Sequence, residues 1–272
     1  MLKVAVVGLG IIGGSLAGAL KKSGKYFVGG KNRSAFSIEY ALKHGYIDEP
    51  VKNLSDYDVV FIALPPDQTM RFLDTEAFKD GGIIADICGV KEPIERVVYS
   101  KKRNYRYVGT HPMAGKEVSG IQNASSDLFQ GANMVLTSCD HTDEEAYNLL
   151  KEMTLDMGFG RIVECSAVKH DKKIALTSQL AHVVSNAYVK SEEIDGCIGF
   201  TGGSFQDMTR IAAVDEAVWT DLYFYNRKNL LRELNALISH LSQYRDALEN
   251  VDKEKLRELL KEGRFLKEKM KK

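Results

Sequence analysis

The sequence predicts an α/β fold: a doubly wound parallel sheet over residues 1–165, followed by an all-helical C-terminal domain over 166–272. Three observations carry this prediction. Short β-rich runs alternate with helical patterns through the first part, as βαβ units do. A glycine-spaced turn joins the first of these runs directly to a helix-forming stretch. Beyond about residue 166 the β signal stops, and helical patterns continue with one glycine-rich interruption at 196–204.

Size and composition agree with that division. A chain of 272 residues suits two domains, and 44% hydrophobic with 27% charged residues is the make-up of a globular protein with a sizeable core. The 37 basic residues balance 37 acidic ones, which removes the field expected of a nucleic-acid or membrane-surface binder and points to a small-molecule partner. Cys88, Cys139, Cys165 and Cys197 form no CxxC pair, so no metal site or disulfide framework is signalled, and a reducing cytoplasm is expected. The uncharged stretch 4–20, between Lys3 and Lys21, resembles a signal peptide. Its five glycines instead suit a strand, a turn and a helix in succession. No other stretch approaches the length of a membrane span.

Strands are expected at 3–7, 26–29, 58–64, 82–86, 106–109, 133–137 and 161–164. Several are continuous apolar runs, as for strands covered by helices on both faces. The first leads into Gly8-Leu9-Gly10-Ile11-Ile12-Gly13, a GxGxxG pattern in its required strand–turn–helix context, which identifies a Rossmann-type dinucleotide site for NAD(P). Gly8 permits the tight turn, Gly10 lets the backbone approach the pyrophosphate, and Gly13 lets helix pack on strand. The helix start at Ile11 and Ile12 supplies amide donors.

After the second strand the chain reads Gly29-Gly30-Lys31-Asn32-Arg33-Ser34, with no acid to hold the ribose hydroxyls of NAD. Lys31 and Arg33 stand where a 2′-phosphate would lie, so NADP is favoured over NAD; solvated loop charges are the alternative. Leu64-Pro65-Pro66 follows the third apolar strand, and Asp86-Ile87-Cys88-Gly89-Val90-Lys91 ends the next. Both are expected at the carboxyl edge of the sheet beside the cofactor crevice, and either is equally a plain turn.

In the helical part, Leu230, Leu234, Leu237, Leu241, Tyr244 and Leu248 alternate spacings of four and three within a helix over 221–250. Such a seam needs a partner helix, and the pattern alone leaves a bundle core and a dimer interface open. The charged tail 252–272 is expected to be a solvated, frayed helix.

Three blocks carry a more specific message: Gly8-Leu9-Gly10-Ile11-Ile12-Gly13-Gly14-Ser15, Gly109-Thr110-His111-Pro112-Met113-Ala114-Gly115-Lys116-Glu117, and Gly202-Gly203-Ser204-Phe205-Gln206-Asp207-Met208-Thr209-Arg210. Together, in this order and with Trp219 following, they resemble the prephenate/arogenate dehydrogenase family over essentially the whole chain. The resemblance implies oxidation of a cyclohexadienyl alcohol with loss of carbon dioxide, and a homodimer held through the helical domain. It implies that His111 accepts the substrate hydroxyl proton, that Arg210 grips a carboxylate and that His182 binds substrate. Glu117 would shape the site or order water, Trp219 would support it by packing, and Asp207 through a hydrogen bond. The imidazole and guanidinium suit these tasks by their protonation and fork geometry.

Val168-Lys169-His170-Asp171 and Ser178-Gln179-Leu180-Ala181-His182 resemble the family's cleft helix, with Asp171, Gln179 and His182 spaced to share one face. Three positions depart from the family. Gly89 stands where a serine is common, Gln179 where a first histidine is, and Gln206 where a basic residue is. Each removes a contact, which leaves the choice between prephenate and arogenate open. The competing readings are another two-domain NAD(P) oxidoreductase, such as a β-hydroxyacid dehydrogenase or an imine reductase, and a nucleotide-sensing module without turnover.

Overall fold

A computed structural model describes residues 1–115 and 118–270. Eight strands form one sheet: β1 (Leu2–Val7), β2 (Tyr26–Lys31), β3 (Glu49–Pro50), β4 (Val59–Ile62), β5 (Ile83–Asp86), β6 (Arg106–Pro112), β7 (Asn133–Thr137) and β8 (Arg161–Cys165). Their order is β3-β2-β1-β4-β5-β6-β7-β8, so the chain leaves β1 toward one edge and returns through β4 toward the other. That reversal opens a crevice beyond the carboxyl ends of β1 and β4, where a doubly wound sheet binds its ligand.

The apolar runs are explained by what covers them. Successive residues of a strand face opposite sides. In β1, Val4 and Val6 join one core with Leu16 and Leu20 of α1 (Ile11–Lys22), Ala41 of α2 (Ala35–Lys43) and Leu150 of α5 (Glu144–Asp156). Ala5 and Val7 join the other, with Leu73 of α3 (Pro66–Thr75) and Ile94 and Val98 of α4 (Glu92–Tyr99). Both faces being buried, no polar alternation survives. Leu16 and Leu20 are fully withdrawn from water, and each such side chain contributes about 2 kcal/mol.

The sheet is mainly parallel, with one exception. Strands β6 and β7 run antiparallel, Thr110 opposite Leu136 and His111 opposite Val135. No α-helix spans the described residues between them, only a short turn of helix at Ile121–Asn123, and a parallel pairing would need a crossover. Strand β3 is the one that sequence reading does not find. It is two exposed residues ending in proline, an edge strand without apolar pattern.

Beyond β8 the described chain is helical: α6 (Ala167–Ile174), a wide π turn (Ala175–Gln179), α7 (Leu180–Tyr188), α8 (Gly203–Thr209), α9 (Glu216–Tyr225), α10 (Arg227–Glu249) and α11 (Lys253–Lys269). The chain divides into two compact units, Met1–Asn226 and Arg227–Lys272. In the second unit α11 packs on α10, Tyr244 donating from its hydroxyl to the Leu259 carbonyl at 3.3 Å. Lys253–Lys269 of the tail therefore form a packed helix, begun by the Asp252 side chain, which accepts from the Lys255 amide. Leu241 and Leu248 of the seam are 57% and 64% exposed. Among the described residues no helix is long and apolar enough to cross a membrane.

Candidate active site

At the switch point, Gly8 turns the chain with φ +91°, and a Cβ there would stand 2.3 Å from the Ala63 carbonyl oxygen. A Cβ on Gly13 would lie 1.9 Å from the Gly8 carbonyl oxygen, so α1 approaches β1 only without one. Gly10, in contrast, is exposed and has open space where its Cβ would be. The first turn of α1 carries no acidic residue and no side chain caps it. Its amides at Ile11 and Ile12 are thus left for an anion, and the residues present fit a dinucleotide pyrophosphate.

A cleft of about 480 Å³ extends from this turn, lined by Gly8, Gly10, Lys31, Asn32, Arg33, Leu64 and Pro65, with Arg71 of α3 across from them. The side-chain oxygen of Asn32 accepts from the Leu9 amide at 3.2 Å and ties the glycine turn to the end of β2. Lys31 shares its charge with Glu76, 3.3 Å away. Arg33 and Arg71 are both exposed at this cleft, which gives it more guanidinium character than the β2 loop alone suggests.

His111 lies at the carboxyl end of β6, next to the β5 loop. A Cβ built on Gly89 would sit 3.9 Å from His111 Nε2 and 3.4 Å from Leu222 Cδ2, so Gly89 leaves one side of the imidazole edge open. The other nitrogen is engaged: His111 Nδ1 stands 2.8 Å from Nε2 of His170, a residue only 2% exposed. His170 Nδ1 in turn lies 2.7 Å from Asp171 Oδ1. The Asp171 carboxylate is fixed at the start of α4, where Oδ1 accepts from the Lys91 amide at 2.8 Å and Oδ2 from the Glu92 amide at 3.0 Å. Burial, then the nearby His170 and Lys91, holds the His111 pKa well below the ordinary histidine value. Burial lowers that of His170 as well, against the opposing pull of Asp171.

Beneath this chain lies a dry polar knot. Asp86 Oδ2 meets the Lys91 ammonium at 2.5 Å with neither side chain exposed, and also accepts from the Cys88 amide at 2.8 Å. Its Oδ1 accepts from the Tyr107 hydroxyl at 2.5 Å. Burial and the adjoining Asp86 push the Tyr107 phenol well above its usual range, so it remains a donor. Burial likewise raises the Cys88 thiol, which is therefore no nucleophile at neutral pH.

The helices supply the facing wall. Gln179 is buried at the end of the π turn, donating to the Leu222 carbonyl at 3.1 Å and accepting from Asn226 at 2.8 Å. Asn226 also donates to the Asp171 carbonyl, so one amide joins the end of α9 to both α6 and the π turn. Gln179 thus serves the wall's own hydrogen bonds. Tyr225 donates to Asp67, tying α9 to α3 beside the cofactor cleft. His182 packs on Trp219 with ring centroids 3.9 Å apart. Gln206 and Arg210 are exposed on and just after α8, and α8 packs on α7. Asp207 is exposed on the same helix. Glu117 lies outside the described residues. Among the described residues no group of acidic, histidine or cysteine side chains forms a metal cluster.

Sequence reading singles out His111, His182 and Trp219, places His170 on the cleft helix and Lys91 beside the cofactor crevice without a task for either side chain, and passes over Asn226 and Arg71. His170 had a usable signal: it directly precedes an aspartate on a predicted helix. Asn226 and Arg71 had none, because their importance lies in which carbonyl or cleft they reach.

Residues 16–164 match the family described as prephenate dehydrogenase, nucleotide-binding domain, and residues 166–262 the one described as prephenate dehydrogenase, dimerization domain. A prephenate dehydrogenase of Bacillus subtilis (strain 168) is 31% identical over 93% of this chain and 72% of its own length. The crystal structure of prephenate dehydrogenase from A. aeolicus, in complex with hydroxyphenyl propionate and NAD+, superposes with a TM-score of 0.86 at 28% identity, covering 99% of this chain and 98% of that one. Synechocystis arogenate dehydrogenase gives a TM-score of 0.79 at 27% identity, over 99% of this chain and all of its own.

Proposed function

Since the chain belongs to the prephenate dehydrogenase family, we propose that it oxidises prephenate to 4-hydroxyphenylpyruvate and carbon dioxide with NAD(P)+. The observation that carries this reading is the imidazole edge of His111, left open by Gly89 at the carboxyl edge of the sheet while its other nitrogen is held by His170. The bound nicotinamide supplies the hydride acceptor. His111 accepts the substrate hydroxyl proton at Nε2 as the hydroxyl-bearing carbon gives up hydride and the ring carboxylate departs, leaving an aromatic ring. Arg210 holds a substrate carboxylate through its planar fork, and His182, braced by Trp219, lines the substrate side, while Gln179 supports that wall through Leu222 and Asn226. Glu117 is assigned the site-shaping role that its place after Ala114-Gly115 gives it.

Residues 1–165 serve the nucleotide, and residues 166–272 serve substrate binding and dimer formation. The exposed Leu241 and Leu248 of α10 support a homodimer through that part, and a cytoplasmic enzyme of tyrosine biosynthesis is the setting we infer. NADP is the preferred cofactor, on the strength of Arg33, Lys31 and Arg71 at the cleft and the lack of an acid at the end of β2. A second reading, arogenate as substrate, is favoured by the neutral Gln206, which suits a zwitterionic side chain better than a second free carboxylate. Initial rates of reduced nicotinamide formation with prephenate and with arogenate, each with NAD+ and NADP+, test both. Turnover of prephenate is expected, and inactivity with both substrates overturns the proposal.

A further inference from the structure

We propose that His170 and Asp171 are positioning residues, which fix His111 in the tautomer that carries its proton on Nδ1 and presents a bare Nε2 to substrate. The inference deepens the dehydrogenase reading and rests on it for its catalytic meaning, but its structural content stands alone. The Asp171 carboxylate accepts two backbone amides at the start of α4, at 2.8 and 3.0 Å. These favour its ionised, acceptor-only form. His170 Nδ1, 2.7 Å away, must therefore carry its proton. That leaves His170 Nε2 bare in the neutral ring, and His111 Nδ1, 2.8 Å from it, must be the donor. With both rings kept neutral by burial, any other assignment sets two lone pairs or two N–H groups against each other in a site that water does not reach, since His170 is 2% and Asp171 1% exposed.

The consequence is chemical. The lone pair of His111 is directed to the edge that Gly89 leaves open, where a hydroxyl proton would be taken. Once that proton arrives, the imidazolium still donates through Nδ1 to His170, whose ring is polarised by Asp171. The proton stays at His111 Nε2, and no transfer along the chain is required.

Nitrogen-15 NMR of histidine-labelled full-length protein at pH 7.5, with His111 assigned by loss of its signals in His111→Asn, reads the tautomer directly. The wild type is expected to show a protonated Nδ1 and a bare Nε2 for His111. In His170→Phe the preference for Nδ1–H should be lost and kcat should fall about 10²-fold, the scale of a misdirected base, while the Kd for cofactor stays within about twofold. His170→Gln, whose amide oxygen can accept from His111, should recover about a tenth or more of the wild-type kcat. A merely structural role would lower stability without changing the tautomer. A wild-type His111 protonated on Nε2 overturns the inference even if no variant folds, as does a folded His170→Phe with kcat within about threefold of wild type. If the wild type oxidises neither prephenate nor arogenate, the function proposal fails while the NMR result still decides this one.

Discussion

Lys91 Nζ and Asp86 Oδ2 stand 2.5 Å apart with neither side chain exposed to water, directly beneath the loop that borders His111. A buried pair of this kind is costly to break, because the surviving charge has no solvent to turn to. Lys91→Met should destabilise the protein by about 3–5 kcal/mol, read from urea unfolding at pH 7.5. Tyr107→Phe, which removes one neutral donor from the same carboxylate, should cost about 1.5–3 kcal/mol. A Lys91→Met loss below that of Tyr107→Phe would mean that the ion pair is not what holds the β5 loop.

His111→Asn should lower kcat by about 10²- to 10⁴-fold while leaving cofactor affinity nearly unchanged. Stopped-flow cofactor binding and steady-state rates separate the two. A parallel loss of cofactor affinity would place the imidazole in the nucleotide pocket and not over the reacting carbon.

Stability should fall as pH drops below about 6.5. Burial depresses the folded-state pKa of both His111 and His170, so the unfolded chain takes up protons that the folded one refuses. The stabilisation is present above the unfolded value of about 6.5 and is lost on acidification toward the folded values, at up to about 1.4 kcal/mol per pH unit for each histidine. Urea midpoints at pH 7.5 and 5.5 measure it. The decline should be shallower in His111→Asn, and an unchanged slope would count against burial as the cause.

Arg33→Ala should raise the KM for NADP+ about tenfold or more and leave that for NAD+ within about twofold, the loss of one charge-assisted contact to a phosphate. Arg71→Ala, on the facing helix, should act in the same direction. Equal effects on the two nucleotides would show that these guanidiniums do not meet a 2′-phosphate.

Gly13→Ala sets a methyl group against the Gly8 carbonyl oxygen, a backbone atom that cannot swing aside. Cofactor binding should be abolished, and thermal denaturation should come several degrees lower, as for overpacking of about 1–3 kcal/mol. Gly10→Ala has open space in the free protein, so its cost should appear only on cofactor titration.

What the residues disclose, and what they withhold, follows from the range of the interaction. The buried strands are legible because both faces of β1 are covered, leaving the uninterrupted Val4-Ala5-Val6-Val7 run. Gly8 and Gly13 are legible because one turn geometry demands them. The antiparallel return of β7 is not, since it depends on the absence of a crossover helix and not on any residue of β7 itself. The hydrogen-bond chain from His111 is only half legible: His170 and Asp171 are adjacent in sequence, but the contact of His170 with His111 spans 59 residues. Lys91 reads only as the end of the stretch beside the cofactor crevice, and the fold alone reveals that its ammonium is neutralised by Asp86. Asp171, Gln179 and His182 would share one face of an unbroken α-helix, whereas a π turn lies between the first and the last.

That turn makes segment length, and not only residue identity, a determinant of the site. A π turn holds one residue more than an α turn would, so winding the same residues as an unbroken α-helix would carry everything after them round by about 100°, one residue's share of a 3.6-residue turn. Gln179 would lose the Leu222 carbonyl and Asn226, and the ring of His182 would leave Trp219. Loss of that surplus residue, with ordinary winding restored, therefore disturbs the wall far less than gain of another. A one-residue insertion within 175–178 that kept full turnover would show that the count is free to vary.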